Sequence, residues 1–245
     1  MIKKLLDTAK QSGNTKVAKT GNKKNALGNV RMASLSLMPH ITICPGSKAA
    51  GCMDGCLKGA GLAAVYKTVN QARQARTDYW TADQSGFLEQ LRRELTNFEK
   101  LCGKQGVQGV VRLNVLSDIP WERHGIPQSF PGLFFYDYTK RADRLGIGKT
   151  PANYRLMFSY SGRPQYRKQV EMAKCFDNPI AVVYKNGEMP ERLFGRPVID
   201  GDQSDLWNVQ AGKVVVALKA KGPAKKDESG FVLDLAELVK FVVAA

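Results

Sequence analysis

Three of the five cysteines, Cys44, Cys52 and Cys56, fall within thirteen residues, spaced C-x7-C-x3-C. Five is an odd number, and three so close together suit metal ligation better than disulfide pairing. Thiolates bind zinc and iron–sulfur clusters. A structural zinc site closes with four ligands, whereas a cluster held by three protein thiolates leaves one iron open for substrate or cofactor. Cys102 and Cys175 can each supply a fourth thiolate, and His40 can also contribute. Three states of the motif therefore stand side by side: a [4Fe–4S] cluster, zinc, or no metal with small buried cysteines. The residues between the cysteines are largely Pro, Gly, Ser, Ala and Lys, flexible enough to wrap a small inorganic core. Cys52 and Cys56 lie one helical turn apart and point the same way if a helix begins there.

A second group of chemically useful residues lies on strand-like runs or just past their ends. Arg112 and Asn114 alternate with Val111, Leu113 and Val115. Polar groups on such a strand require partners, because unpaired burial costs several kcal/mol, roughly. They face either a site or a salt-bridged helix. That run exits through Ser117, Asp118 and Trp121, the next through Tyr138, Thr139 and Lys140, and a third through Ser159, Tyr160 and Arg163. Three polar exits in succession predict a ligand site at that rim, with Arg112, Asn114, Asp118, Tyr138, Lys140 and Ser159 as its candidate cofactor-binding residues. Residues 200–205 carry three acids but lack the length and terminal Glu of a calcium loop, which predicts a turn.

These residues are positioned by alternating elements. Strands are predicted at 35–43, 110–116, 133–138, 156–161, 180–184 and 214–218. Helical stretches run from 57 onward, over 85–102 and over 164–176. In 85–102, Phe87, Leu88, Leu91, Leu95, Phe98 and Leu101 recur at helical spacing. Such alternation predicts an α/β fold with a mainly parallel sheet, either open or curved into a partial (β/α)6 barrel, and in both forms ligands gather at the C-terminal strand ends. Residues 1–28 hold seven lysines against one acid, Asp7, and no aromatics. This composition predicts a flexible basic arm, followed by a single α/β domain over 29–245 with the cysteine loop at 44–56. A second solvated linker is expected at 219–229.

The chain has 245 residues, 43% of them apolar, and a net charge of +15. No apolar run approaches the ~20 residues of a membrane helix, and no secretory leader is evident. With this cysteine usage, a cytoplasmic, reducing compartment and no membrane partner are expected. The basic excess favours polyanions, with nucleic acid reached through the arm and through Arg73, Arg76, Arg92 and Arg93. A P-loop, GxSxG and HExxH are all missing, and there are only two histidines, which disfavours hydrolytic triads and histidine-based metal catalysis.

The stretches ITICPGSKAAGCMDGC and FFYDYTK, with the Arg112 strand that ends near Asp118, resemble the phage gene-product-88 family over roughly residues 30–200. That family looks like a distant relative of radical S-adenosylmethionine enzymes. The resemblance implies a three-cysteine [4Fe–4S] cluster after the first strand of a partial barrel, with S-adenosylmethionine on the open iron. It places residues 116–118 where those enzymes hold the cofactor's amino group. Asp118 is then the expected amine partner and Lys140 a carboxylate or phosphate contact. The alternative is a metal-stabilised nucleic-acid-binding or host-interaction protein without catalysis.

Overall fold

The computed structural model describes residues 2, 4–8, 27–53, 55–56 and 65–236. Ten strands form one sheet: β1 (Asp7–Thr8), β2 (Val30–Ser34), β3 (Gln108–Arg112), β4 (Leu133–Thr139), β5 (Tyr154–Ser159), β6 (Ile180–Lys185), β7 (Arg192–Leu193), β8 (Arg196–Asp200), β9 (Val215–Lys219) and β10 (Leu233–Asp234). The helices are α1 (Ser47–Ala50), α2 (Lys67–Ala82), α3 (Gln84–Lys104), α4 (Arg167–Lys174) and α5 (Asp205–Gln210). The strand order is β1-β2-β3-β4-β5-β6-β9-β8-β7. Strands β2 to β6, β9 and β8 run parallel, while β1 and β7 are antiparallel additions at the two edges. Among the described residues no pairing joins those edges, so a closed barrel is not formed. Strand β10 pairs with the far end of β6, beyond the point where β5 stops.

The central strands are apolar on both faces, as a covered parallel sheet requires. One face carries Val111, Phe135, Phe158 and Val182, packed under Trp80 of α2 and Phe87, Leu91 and Leu95 of α3. The other carries Met32, Val110, Tyr136, Met157 and Val216, covered by Leu206 and Val209 of α5. Helix α3 begins where the Asp83 side chain accepts the Gly86 N–H at 2.8 Å, and the main chain turns away from it at Gly106 with φ 61°.

Three expectations change, and the turn expected at 200–205 is present. The first strand is Val30–Ser34, ahead of 35–43, because beyond Leu35 the chain leaves the ladder and Met38 N–H bonds to Arg73 O of α2. The supposed linker at 219–229 is tied down: Ala220 and Ala224 are buried with Phe231. The acidic stretch at 200–205 holds the expected turn, at 201–202, before Ser204 caps α5 and Asp205 enters the interior. The arm is docked at its start. Leu5 and Leu6 are buried, their N–H groups bond to the Glu94 carboxylate, and Asp7–Thr8 joins the sheet beside Ala33 and Ser34. Most of the remainder of 1–28 lies outside the described residues.

Leu5→Ala should lower stability by about 2–5 kcal/mol, the usual loss for a leucine truncated in a packed core. Urea unfolding followed by circular dichroism measures this, and an unchanged midpoint would show that the segment is not part of the core.

Candidate functional site

The cysteine loop begins where the chain leaves β2 and crosses the exit of β3. Asp118 N–H donates to Ile43 O at 2.8 Å, and the Cys44 thiol lies 3.4 Å from Leu116 O. Ser47 opens α1 and donates its hydroxyl to Cys44 O at 2.6 Å, while Cys52 N–H returns to Ser47 O. The loop then lies on the ends of β4 and β5. Ser161 Oγ donates to Ala50 O, Arg163 Nη1 to Lys48 O and Ser229 Oγ to Gly51 O. Its glycines permit this close seat. A Cβ at Gly46 would stand 2.8 Å from Lys140 Cβ, and one at Gly51, whose φ is 69°, would stand 2.5 Å from Arg163 Cδ. The loop expected to be flexible is thus held from both sides.

Cys44 is near enough to Cys52, Cys56 and Asp118 for their charges to act on it. Burial, then Asp118, Cys56 and Cys52, push its thiol far above the usual range. Arg73 lies 4% exposed within electrostatic reach of Cys56, its pKa lowered by burial. Among the described residues, no three His, Cys, Asp or Glu side chains are set to hold a metal ion. The other candidate ligands lie elsewhere. Cys102 packs inside beside Gly109 of β3, Cys175 is exposed after α4, and the exposed His40 ring bonds to Thr42.

The rim residues are engaged with one another. Asp118 is 4% exposed. Its Oδ1 accepts from Thr139 Oγ1 (2.8 Å) and Arg144 Nη1 (2.6 Å), and its Oδ2 from Lys140 N–H (2.8 Å). A carboxylate so enclosed is a structural junction and does not serve as the amine partner expected of it. Asn114 is likewise internal, its Oδ1 accepting from Ser117, Ile119 N–H and the Trp121 indole. Trp121 itself is fully buried. Arg112 pairs with Asp205 at 2.8 Å, and the Tyr138 hydroxyl donates to the same carboxylate. Lys140 and Ser159 meet near the loop, through Lys140 Nζ and the Ser159 carbonyl, and Asp118 touches the loop through its own N–H to Ile43 O. Of the arginines expected to meet phosphate, Arg73 and Arg76 are buried, Arg76 pairs with Asp7, and Arg92 donates to His124 O, whereas Arg93 is exposed on α3.

Sequence patterns did not expose Arg144, which clamps Asp118 and Glu122, or Asp205, the distant counter-ion of Arg112. Nor did they expose Asp137. It is buried, accepts from Asn114 N–H and Tyr154 hydroxyl, and is pushed up to about 7, chiefly by burial.

The fold and site together define an α/β protein with a cysteine-bearing loop clamped across the C-terminal edge of a mostly parallel sheet. The chain belongs to the Gene product 88 family, whose family model matches residues 5–235. No curated protein and no solved structure matches it. None of the helices among the described residues is long and apolar enough to cross a membrane.

The raised Asp137 pKa has a definite sign. Between its ordinary value of 3.8 and about 7, the native state binds more protons than the unfolded one. Stability therefore falls as pH rises through that window, by at most about 1.4 kcal/mol per pH unit, and levels off above it. Asp137→Asn, compared with wild type by urea unfolding from pH 4.5 to 8, should remove this slope. Parallel pH profiles of the two proteins would contradict it.

Proposed function

We propose that this protein is an iron–sulfur protein in which Cys44, Cys52 and Cys56 hold a [4Fe–4S] cluster, with the fourth iron open to a small ligand at the C-terminal edge of a sheet curved as a partial barrel. The observation that carries the proposal is the setting of Cys44, a half-buried thiol beside Asp118 and within electrostatic reach of two further cysteines on a clamped loop. Mutual repulsion makes three neighbouring thiolates unfavourable by themselves, and a bound cationic core relieves it. The strands β2 to β6 and β9 lie side by side in chain order, the arrangement from which partial barrels are built.

When bound, such a cluster supplies one-electron chemistry or activates a ligand on its open iron. The chain's part is to seat the thiols, exclude water and present polar groups. Ser34 and Ser36, on the segment leading to Cys44, keep buried hydroxyls that no group among the described residues satisfies. S-adenosylmethionine is the ligand to test, although Asp118, Arg112 and Tyr138 are already bound within the protein and would not hold it.

Anaerobically reconstituted protein should show the broad visible absorption of thiolate-bound iron, with iron and acid-labile sulfide in equal amounts. Single Ala substitutions of Cys44, Cys52 or Cys56 should abolish both, whereas Cys102→Ala and Cys175→Ala should retain them. Binding of zinc without sulfide, or an intact cluster in a variant with all three of Cys44, Cys52 and Cys56 replaced by Ala, would overturn the proposal. Adding S-adenosylmethionine to the reduced sample should perturb its electron paramagnetic resonance signal if that ligand reaches the open iron.

A further inference from the structure

Three segments meet at the C-terminal edge of the sheet: residues 44–52 after β2, residues 160–168 after β5 and residues 220–230 after β9. The strands from β2 to β9 along this path run parallel, so their exits fall on one edge. Hydrogen bonds stitch the segments together. Ser161 Oγ donates to Ala50 O at 2.7 Å, Gly162 N–H to Gly230 O at 3.0 Å and Ser229 Oγ to Gly51 O at 3.2 Å. Ala224 stands against Gly55, where an added Cβ would be 3.7 Å from its Cα.

The outer side of these segments is strongly cationic. Lys48, Arg167, Lys168, Lys225 and Lys226 are exposed, and Arg163 is half-buried. Among the described residues, no carboxylate forms an ion pair with any of the six. Nearby acids are already used: Glu171 pairs with Lys174, Asp202 with Lys221 and Asp143 with Arg141. The Asp227 carboxylate turns inward to Val232 N–H and Ser229 Oγ, which leaves Glu228 as the exposed acid of the three segments. Helix stability does not account for the cluster. Arg167 and Lys168 occupy the first turn of α4, where the helix dipole disfavours positive charge, and no acid accompanies them there. Six like charges on one fixed surface repel one another unless an outside anion balances them.

We infer that this rim is a docking surface for the phosphate backbone of nucleic acid. A chain of phosphates presents evenly spaced negative charges that meet several fixed cations at once, and a guanidinium grips a phosphate through two N–H groups. The three segments carry no exposed large apolar side chain, so they offer no anchor for a lipid surface. Contacts of this kind supply affinity and orientation without reading base sequence. The surface is distinct from the buried Arg73 and Arg76, and the inference does not depend on what the cysteines hold.

The test is fluorescence anisotropy of the full-length protein with a labelled DNA duplex and with one of its single strands, from about 50 to about 200 mM salt. Wild type is compared with the rim pair Arg167→Glu/Lys168→Glu and with Arg93→Glu/Lys100→Glu, which makes the same charge change at exposed positions of α3. Urea unfolding is measured on each, and the rim pair should be no less stable than wild type, because acids suit the first turn of a helix. Lys225→Ala/Lys226→Ala repeats the test from the third segment. Wild type should bind at least one form of DNA, with affinity falling steeply as salt rises. The rim pair should weaken binding at low salt about tenfold and lower the slope of log affinity against log salt by about 2, one counterion for each lost contact. The Lys225→Ala/Lys226→Ala variant should lower the slope in the same way, and the α3 pair should stay close to wild type. Equal weakening by the rim and α3 pairs would show that net charge alone matters, and would overturn the inference. An unchanged slope in both rim variants would also overturn it, as would a wild type that binds vesicles of phosphatidylserine and phosphatidylcholine but neither form of DNA, or that binds nothing at low salt.

Discussion

Asp118 is a carboxylate withdrawn from water, and the surrounding chain is arranged to satisfy it. Burial alone would drive such a group to its neutral form. Arg144, Thr139 and the Lys140 N–H act against that, although burial still dominates. Those three partners come from β4 and the turn after it, while Asp118 belongs to the exit of β3 and its own N–H holds Ile43. One side chain thereby fixes the end of β3, the end of β4 and the residue before Cys44 with respect to one another. Arg144 carries the constraint further, reaching Glu122 of the turn that follows β3. Removing one member would leave an unpaired charge in the interior, the arrangement proteins tolerate least.

The opposite face of the sheet has its own buried pair. Arg112 projects among Tyr136 and Tyr138 and meets Asp205, brought by α5 from 93 residues along the chain. Helix α5 is too short to be stable by itself. Its place follows from Leu206 and Val209 in the apolar layer, the Ser204 cap and the Arg112–Asp205 contact. The ion pair therefore joins a late, short element to the centre of the sheet, and it accounts for an arginine on a strand that is otherwise apolar on both faces.

Between these two fixed regions, the cysteine loop is held by backbone contacts more than by side-chain packing. Carbonyls of Lys48, Ala50 and Gly51 accept from Arg163, Ser161 and Ser229, so the segment between β5 and α4 and the segment after β9 both grip it. Close approach needs glycine at the contacts with Lys140, Arg163 and Phe231, which explains why a loop rich in small residues is nonetheless fixed. Rigidity of this kind places thiols reproducibly, as a metal site requires.

Much of the frame was legible in the residue pattern. The apolar runs at 133–138, 156–161, 180–184 and 214–218 became β4, β5, β6 and β9, and the helical spacing of Phe87, Leu91 and Leu95 became the buried stripe of α3. The short elements β1, β7, β8, β10 and α5 were not, because two to six residues carry too little periodicity to stand out. Sequence by itself determined the parallel α/β class and the clustering of Cys44, Cys52 and Cys56, since strand periodicity and ligand spacing are local properties of the chain. Only the tertiary structure decided which polar residues serve the site. Asp118, Arg112 and Tyr138 are claimed by partners that the fold brings from elsewhere, and the Asn114 side chain by the turn that follows it. The physical reason is that satisfaction of a buried polar group depends on distant neighbours, which no local pattern records.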